Sequence, residues 1–360
     1  MHIPVLRRQL ISRMTLTAYT MLRSYIRHIS LRLARAFAAM APVIAVAAGL
    51  SQPLQAQDVQ MTQYWAIPTY YNPAATGNSD YLRIRGAARM QWIGIHNAPR
   101  SFLVLADSPL KFGRKQHIGL GLGMVQESLG LFSNLGLNIQ ASYKLRVLKG
   151  TLSIGIQGGY YDQKFKGSEV VVPEGDDYHQ SSDEALPTQD LAGHVFDFSL
   201  GLEYQHKYFY AGIGAQHLMQ PTIKLSMEGS EASEDQEYET ELPRMFYFNA
   251  GSNIQIKNSL FELQPSLLVR TDLKTFSADI TARARYNRFL SFGLAYRYND
   301  AISAMVGVDF KGFFIGYSYD YPLTAIAKAS SGSHEVVVGY QLKLDFNGKN
   351  RNKHRSIRLM

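Results

Sequence analysis

The amino-acid sequence predicts an all-β protein: a transmembrane antiparallel β-barrel of about 14 strands with an N-terminal non-strand segment that plugs or caps it. Three observations lead there. Hydrophobicity alternates with period two from Tyr81 onward, long connections all fall at one end, and no apolar stretch after residue 57 could span a membrane as a helix.

The alternation is that of a strand with two unlike faces. In Tyr81–Trp92, Leu82, Ile84, Ala88, Met90 and Trp92 oppose Arg83, Arg85, Arg89 and Gln91. Asn134–Leu145, Val195–Gln205 and Phe276–Tyr286 repeat the pattern, as do 151–163, 244–257, 260–270, 289–298, 301–310, 312–321 and 334–346. Three segments are less regular. Ile118, Leu120, Leu122 and Met124 alternate with glycines, Ser101–Ser108 is apolar on both faces, and Tyr208–Leu218 reads in either phase. Most of these segments reach the roughly 9–11 residues that a tilted strand needs to cross a bilayer. Tyrosines and Trp92 gather near strand ends, as interfacial girdles do.

A soluble β-sandwich would alternate too, and the connections discriminate. Numbered from the first strand, the even ones are short: Pro109–Lys115, Arg146–Gly150, His206-Lys207, Lys257–Ser259, Asn287-Arg288 and Lys311-Gly312. The fifth, seventh and thirteenth (about 164–193, 219–243 and 322–333) are long. Outer-membrane barrels show this asymmetry, with short periplasmic turns and long external loops. Closure also removes the sheet edges that lipid cannot tolerate. Residues 339–346 end in Phe346, with the spacing of a final-strand assembly signal.

The 360-residue chain carries a formal charge of +8 and no cysteine. No disulfide framework, thiol nucleophile or cysteine-bound metal is available, and neither is the acylated cysteine of a lipoprotein. The charge does not point to nucleic acid. Seven arginines (Arg7, Arg8, Arg13, Arg23, Arg27, Arg32, Arg35) precede residue 57, and removing them leaves 30 basic against 29 acidic side chains. This basic region, the apolar run Ala36–Leu50 and the small Ala56 describe a secretory leader, with Met14 and Met21 as alternative starts. The expected organisation is a leader over 1–56, a plug or cap segment over 57–80, the barrel over 81–346 and a basic periplasmic tail over 347–360.

Two stretches resemble a known family. Gln91-Trp92-Ile93-Gly94-Ile95, with Ala98-Pro99-Arg100 after it, resembles the QWxGxxxAP region of the PorP/SprF family of Bacteroidetes type IX secretion and gliding-motility systems. Tyr317–Tyr321 followed by Ser331-Gly332-Ser333-His334-Glu335 resembles its C-terminal YxY…SGSHE region. Gln63-Tyr64 and Tyr71-Asn72-Pro73-Ala74 resemble its N-terminal pattern. Together and in this order the pieces are specific. The resemblance implies an outer-membrane component of type IX protein secretion without catalytic activity or cofactor. Its partners would be periplasmic ring and motor proteins, outer-membrane lipoproteins or secreted cargo. The motif positions are Asn72, Pro73, Gln91, Trp92, Gly94, Pro99, Gly332, Ser333, His334 and Glu335.

Other chemistry is sparse. Gly119-Leu120-Gly121-Leu122-Gly123 sits within a strand, whereas a nucleotide fingerprint opens a helix, so small lumen-facing residues are the expectation. Asp176, Asp177 and His179 offer a carboxylate–histidine pair with no evident nucleophile, which leaves a surface enzyme as the third reading. The acidic stretches around Asp177 and Glu234 are a solvated rim or a calcium bridge. Arg83, Arg85, Arg89, Arg270, Arg283, Arg285 and Arg297 share the lumen face with Asp107, Asp197, Glu203, Glu262, Asp279 and Asp309. Such a lining suits a pore, a barrel packed with ion pairs, or one occupied by a plug. The second reading is a passive transporter of hydrophobic small molecules like the fatty-acid channels, whose hatch has an Asn-Pro-Ala stretch comparable to Asn72-Pro73-Ala74. His334-Glu335 is expected to fix the preceding loop.

Overall fold

The computed structural model describes residues 59–112, 115–170, 187, 189–227 and 238–343. The leader with Gln57 and Asp58, the acidic stretches with Asp176, Asp177, His179 and Glu234, Leu344–Phe346 and the tail lie outside the described residues. Among those described, no helix is long and apolar enough to cross a membrane.

The chain forms a closed barrel of 14 antiparallel strands. In order these are β1 (Tyr81–Met90), β2 (Arg100–Phe112), β3 (Lys115–Leu129), β4 (Phe132–Val147), β5 (Gly150–Phe165), β6 (Leu191–Gln205) and β7 (Phe209–Gln216). A hairpin of β8 (Thr222–Met227) and β9 (Tyr238–Glu241) follows outside the barrel count. The barrel resumes with β10 (Met245–Ser252), its continuation β11 (Ile254–Gln255), β12 (Phe261–Thr271), β13 (Phe276–Tyr286) and β14 (Leu290–Arg297). It ends with β15 (Ala301–Phe310), β16 (Phe313–Pro322) and β17 (Ser333–Lys343). β10 pairs directly with β7, past the hairpin (Phe248 opposite Ile213). β1 closes the barrel on β17 in unbroken register from Tyr81↔Lys343 to Met90↔His334.

Which side of each strand is apolar decides between sandwich and membrane barrel. Ile139, Leu122 and Phe196 are 65%, 62% and 69% exposed, while their chain neighbours Gln140, Gly121 and Asp197 are buried. A soluble protein would invert that arrangement; here the apolar face is turned to lipid and the polar face inward. Aromatic pairs sit at strand ends, among them Phe261–Tyr286 (4.9 Å between centroids) and Phe313–Tyr340 (4.5 Å) at the short-turn end.

Turn chemistry fixes the register at that end. Leu148 and Lys149 both have positive φ (49° and 64°), as do Asn287 and Arg288 (48° and 55°). These are the values two-residue hairpin turns need to match strand twist. The described parts of the longer connections, 91–99, 166–170, 189–190, 217–227, 238–244 and 323–332, lie at the opposite end. The strand segments anticipated from alternation are all present, and β7 takes the phase that turns Tyr210, Gly212, Gly214 and Gln216 inward. The hairpin of β8 and β9 is an addition. Ile223 and Leu225 bury against Leu191 and pack on Phe132, Phe165 and Val195, holding the two strands of the hairpin against the long-loop end of β4–β6. Ile139 lies midway along β4 on the lipid face, so Ile139→Arg should destabilise the barrel in lipid by about 2–4 kcal/mol. Denaturant unfolding in vesicles measures it; an effect near zero would place Ile139 away from the bilayer midplane.

Candidate functional site: the plugged lumen

Residues 59–80 are not strand, for sequence reasons. Pro68 and Pro73 lack the N–H a ladder needs, and the segment has no alternation. It forms short turns instead, Tyr64–Ala66, Pro68–Tyr71 and Pro73–Ala75. Asn72 caps the last: its Oδ1 accepts the Ala74 N–H at 2.9 Å, and Pro73 occupies the first helical position. The turns gather Met61, Tyr64, Ala66, Ile67 and Tyr71 into a compact apolar body. That body is buried among lumen-facing side chains of the wall, including Leu103, Leu105, Tyr247, Leu268 and Phe314.

At the long-loop end, one cluster of charges grips the segment. Glu335 accepts the Thr62 N–H at 2.7 Å with one carboxylate oxygen and the Gln63 N–H at 2.8 Å with the other. The Thr62 hydroxyl donates to Asp320 (2.7 Å) and accepts from Arg89 (3.0 Å) and Arg297 (3.2 Å). Arg89 bridges Asp320 (2.7 Å) and Glu335 (3.2 Å). Arg297 holds Asp279 (2.7 Å), which also takes Arg270 (3.2 Å). Three arginines thus balance three carboxylates, all buried. Nearby, the Tyr64 hydroxyl meets Ser266 at 2.9 Å, and burial pushes its phenol above the ordinary value, so it stays neutral. Arg283 stacks 3.3 Å over the Trp65 ring, a cation–π contact.

At the short-turn end a second cluster holds the segment's exit. Asp107 accepts the Gly77 N–H (2.7 Å) and pairs with Arg83 Nη2 (2.7 Å), which also donates to the Ala75 carbonyl (3.3 Å). Ser142 donates to the Thr76 carbonyl (2.7 Å), Lys144 to the Gly77 carbonyl, and Asn78 to Glu203 (2.7 Å). Between the clusters the wall makes room with glycine. Gly155, Gly201 and Gly214 lie opposite one another across β5, β6 and β7. A Cβ on any of them would collide with the plug: with the Ala74 nitrogen, the Asn72 side chain and the Tyr71 carbonyl respectively. The arrangement can bind its own segment and exclude others; among the described residues no group of three or more His, Asp or Glu side chains could hold a metal ion.

The family model for the type IX secretion system membrane protein PorP/SprF matches residues 54–340. The chain belongs to the PorP/SprF family. It is therefore an outer-membrane β-barrel of type IX secretion. No curated protein sequence matches it. Among solved structures it is similar to the Ralstonia pickettii toluene transporter TbuX. That match has 13% identity and TM-score 0.46, covering 82% of this chain and 96% of that one. It is also similar to the CymD monoaromatic hydrocarbon channel (11%, TM-score 0.43, covering 81% and 95%). Acinetobacter baumannii Omp33 matches at 5% with TM-score 0.40, covering 73% and 98%.

The PorP/SprF motif positions fall into two groups in this fold. Asn72, Pro73 and Glu335 are in the lumen, Asn72 donating also to the Leu202 carbonyl (3.0 Å). Gln91, Trp92, Gly94, Pro99, Gly332 and Ser333 lace two loops together above β1 and β17. The Gln91 N–H donates to the Pro99 carbonyl (2.9 Å), Trp92 N–H to Ser333 Oγ (3.2 Å) and Ile93 N–H to the Gly332 carbonyl (2.9 Å). Ser331 N–H returns to the Ile93 carbonyl (2.8 Å), and Gly94 and Gly332 take the positive φ values (104° and 89°) that the crossing demands. His334 is on the outer face, 2.7 Å from the Tyr317 hydroxyl. Loop fixing therefore falls to Ser333 and Gly332, while Glu335 points inward and binds the plug.

Sequence reasoning missed Asp320 and the glycine row. The inward phase of β16 carried the first, and in-register glycines on three adjacent strands carried the second. The glycines at 119, 121 and 123 do face the lumen, the first two against Thr76. Asp197 and His217 form a buried pair at 3.1 Å, with Asp197 also accepting the Met219 N–H (3.1 Å), which anchors the seventh connection. Glu335→Gln keeps the shape but replaces one acceptor with a donor, leaving a plug N–H and Arg89 short. Loss of one member of a buried pair costs about 3–5 kcal/mol. The expected readout is faster proteolysis between residues 59 and 80 and channel-like current noise in planar bilayers. An E335Q barrel as quiet and protected as wild type would contradict the assignment.

Proposed function

We propose that this barrel serves type IX secretion as a docking component, binding machinery or cargo through its exposed ends. One observation carries the reading: the lumen is filled by residues 59–80, and its charges are consumed in pairing with one another and with that segment. An apolar solute could pass such an interior only by displacing the plug and crossing buried, paired arginines and carboxylates, which favours docking over passage. By the sidedness of outer-membrane barrels the short-turn end faces the periplasm. Among the described side chains it presents Arg146, Lys149 and Lys207, and the sequence adds Lys111, Arg114, Lys115 and the basic residues through Arg358. That surface suits an acidic periplasmic partner.

In this reading the leader over 1–56 is removed on export after Ala56. Residues 57–80 are then the plug, 81–346 the barrel and 347–360 a basic periplasmic tail. Charge pairing at the periplasmic face is salt-sensitive, since the screening length is about 8 Å at physiological ionic strength. Deleting the gene should block surface delivery of secreted proteins while growth on hydrophobic substrates is unchanged. Partners that co-purify with the tagged barrel should dissociate as salt rises. Intact secretion with impaired uptake of hydrophobic compounds would replace this reading with a transporter.

A further inference from the structure

Between β12 and β1, the short-turn half of the lumen holds more cations than carboxylates. Glu262 is bound by Arg288 (3.2 Å) and Asp309 by Arg285 (3.2 Å). Two further guanidiniums, Arg85 and Arg283, lie within electrostatic reach of Asp309, so four cations share two carboxylates. The other carboxylate that reaches Arg85 is Asp107, already held by Arg83 and the Gly77 N–H. Among the described residues, neutral groups alone hold these two arginines. Arg85 Nη1 donates to the carbonyls of Ile84 (2.9 Å) and Tyr340 (3.2 Å), while its Nε is buried with no acceptor and the residue is 4% exposed. Arg283 donates to Gln264 Oε1 and stacks on Trp65, whose indole N–H is buried without an acceptor as well. A buried donor without an acceptor is costly, and a buried charge without a counter-charge more so. The cluster calls for an anion, and the exposed Arg288 opens it to solvent.

We infer that this end of the lumen binds a divalent oxyanion of the phosphate class, held by Arg85, Arg283 and Arg285. The inference stands apart from the docking reading. Two cations in excess match two negative charges, whereas one carboxylate would balance only one. A guanidinium presents its N–H donors in a fixed fork that fits phosphate oxygens, and charge-assisted bonds of this kind are the strong ones. The oxyanion supplies acceptors where Arg85 Nε has none, and it neutralises Arg283 without taking that residue from the Trp65 ring. Anion binding and seating of the plug at Trp65 are thereby linked. Gly339 serves the same arrangement. A Cβ there would stand 2.7 Å from Arg85 Nη1, so glycine is what lets the guanidinium lie across β17.

The test is a titration of the barrel, purified from outer membranes, with inorganic phosphate replacing chloride at constant ionic strength. Fluorescence reads it in a Trp92→Phe background, which leaves Trp65 as the one tryptophan of the chain. The expected result is a saturable change. Arg85→Met, which keeps the apolar stem, should raise the half-saturating phosphate concentration at least about tenfold, as loss of a charge-assisted hydrogen bond does. Asp309→Asn, which removes the competing carboxylate, should lower it. Melting gives a second reading. Without phosphate Arg85→Met should melt above the parent, because an uncompensated buried charge is gone. Saturating phosphate should raise the melting temperature of the parent and leave that of the variant in place. A signal that climbs with phosphate without saturating overturns the site, as does one that Arg85→Met leaves unchanged. Equal melting shifts in parent and variant overturn it too. Saturation by a glutamate-rich peptide with no response to phosphate would give these arginines to an acidic partner and overturn the small anion.

Discussion

A carboxylate taken out of water costs several kcal/mol unless charge and hydrogen bonds surround it, and most of the lumen follows from how that demand is met at Glu335. Both its oxygens are spent on backbone N–H groups of Thr62 and Gln63, and Arg89 neutralises it. Arg89 in turn needs Asp320, Asp320 engages Arg297 (3.6 Å) and the Thr62 hydroxyl, and Arg297 needs Asp279. Removing the plug from this ring would leave the Glu335 oxygens with Arg89 alone and Asp320 without its hydroxyl. The plug is therefore a structural member of the wall's charge balance rather than a loose stopper. Every carboxylate of this network is engaged, while Arg89 Nε and Arg270 Nε are buried without a hydrogen-bond partner, so the plug is held from the acceptor side.

Shape enforces the same outcome. The Asn72–Ala74 turn lies on a floor of glycines contributed by three neighbouring strands, and any side chain there would displace it. Strand interiors tolerate glycine poorly, for reasons of entropy and lost packing. Its place in β5, β6 and β7 is explained by the close approach of plug backbone. Outside, the same strands carry large apolar side chains, so each strand answers two unrelated environments, and the alternation of period two is their visible trace.

That alternation made the barrel legible from residues alone, because a tilted strand between lipid and lumen can hardly be written otherwise. The asymmetric loops were likewise readable, from the lengths of the connections between alternating segments. The plug was legible from Pro68, Pro73 and the missing alternation. Its grip was not. Thr62 and Glu335 are separated by most of the chain, and nothing local marks Asp320 as their partner. His334-Glu335 read as one loop-fixing unit, yet consecutive strand residues face opposite ways, so His334 went to the outer face and Glu335 to the plug. The β8–β9 hairpin stayed hidden because its acidic composition masks the few apolar residues, Ile223 and Leu225, that seat it.

A barrel whose interior is closed by its own chain has its ends left for recognition, which fits a member of a secretion machine better than a conduit. The central claim is that Thr62 and Gln63 are locked into the wall through Glu335. Amide hydrogen exchange of these two residues in the folded barrel measures that directly. The account predicts protection comparable to the central residues of β1 and β17. Exchange at the rate of an unstructured peptide would contradict it.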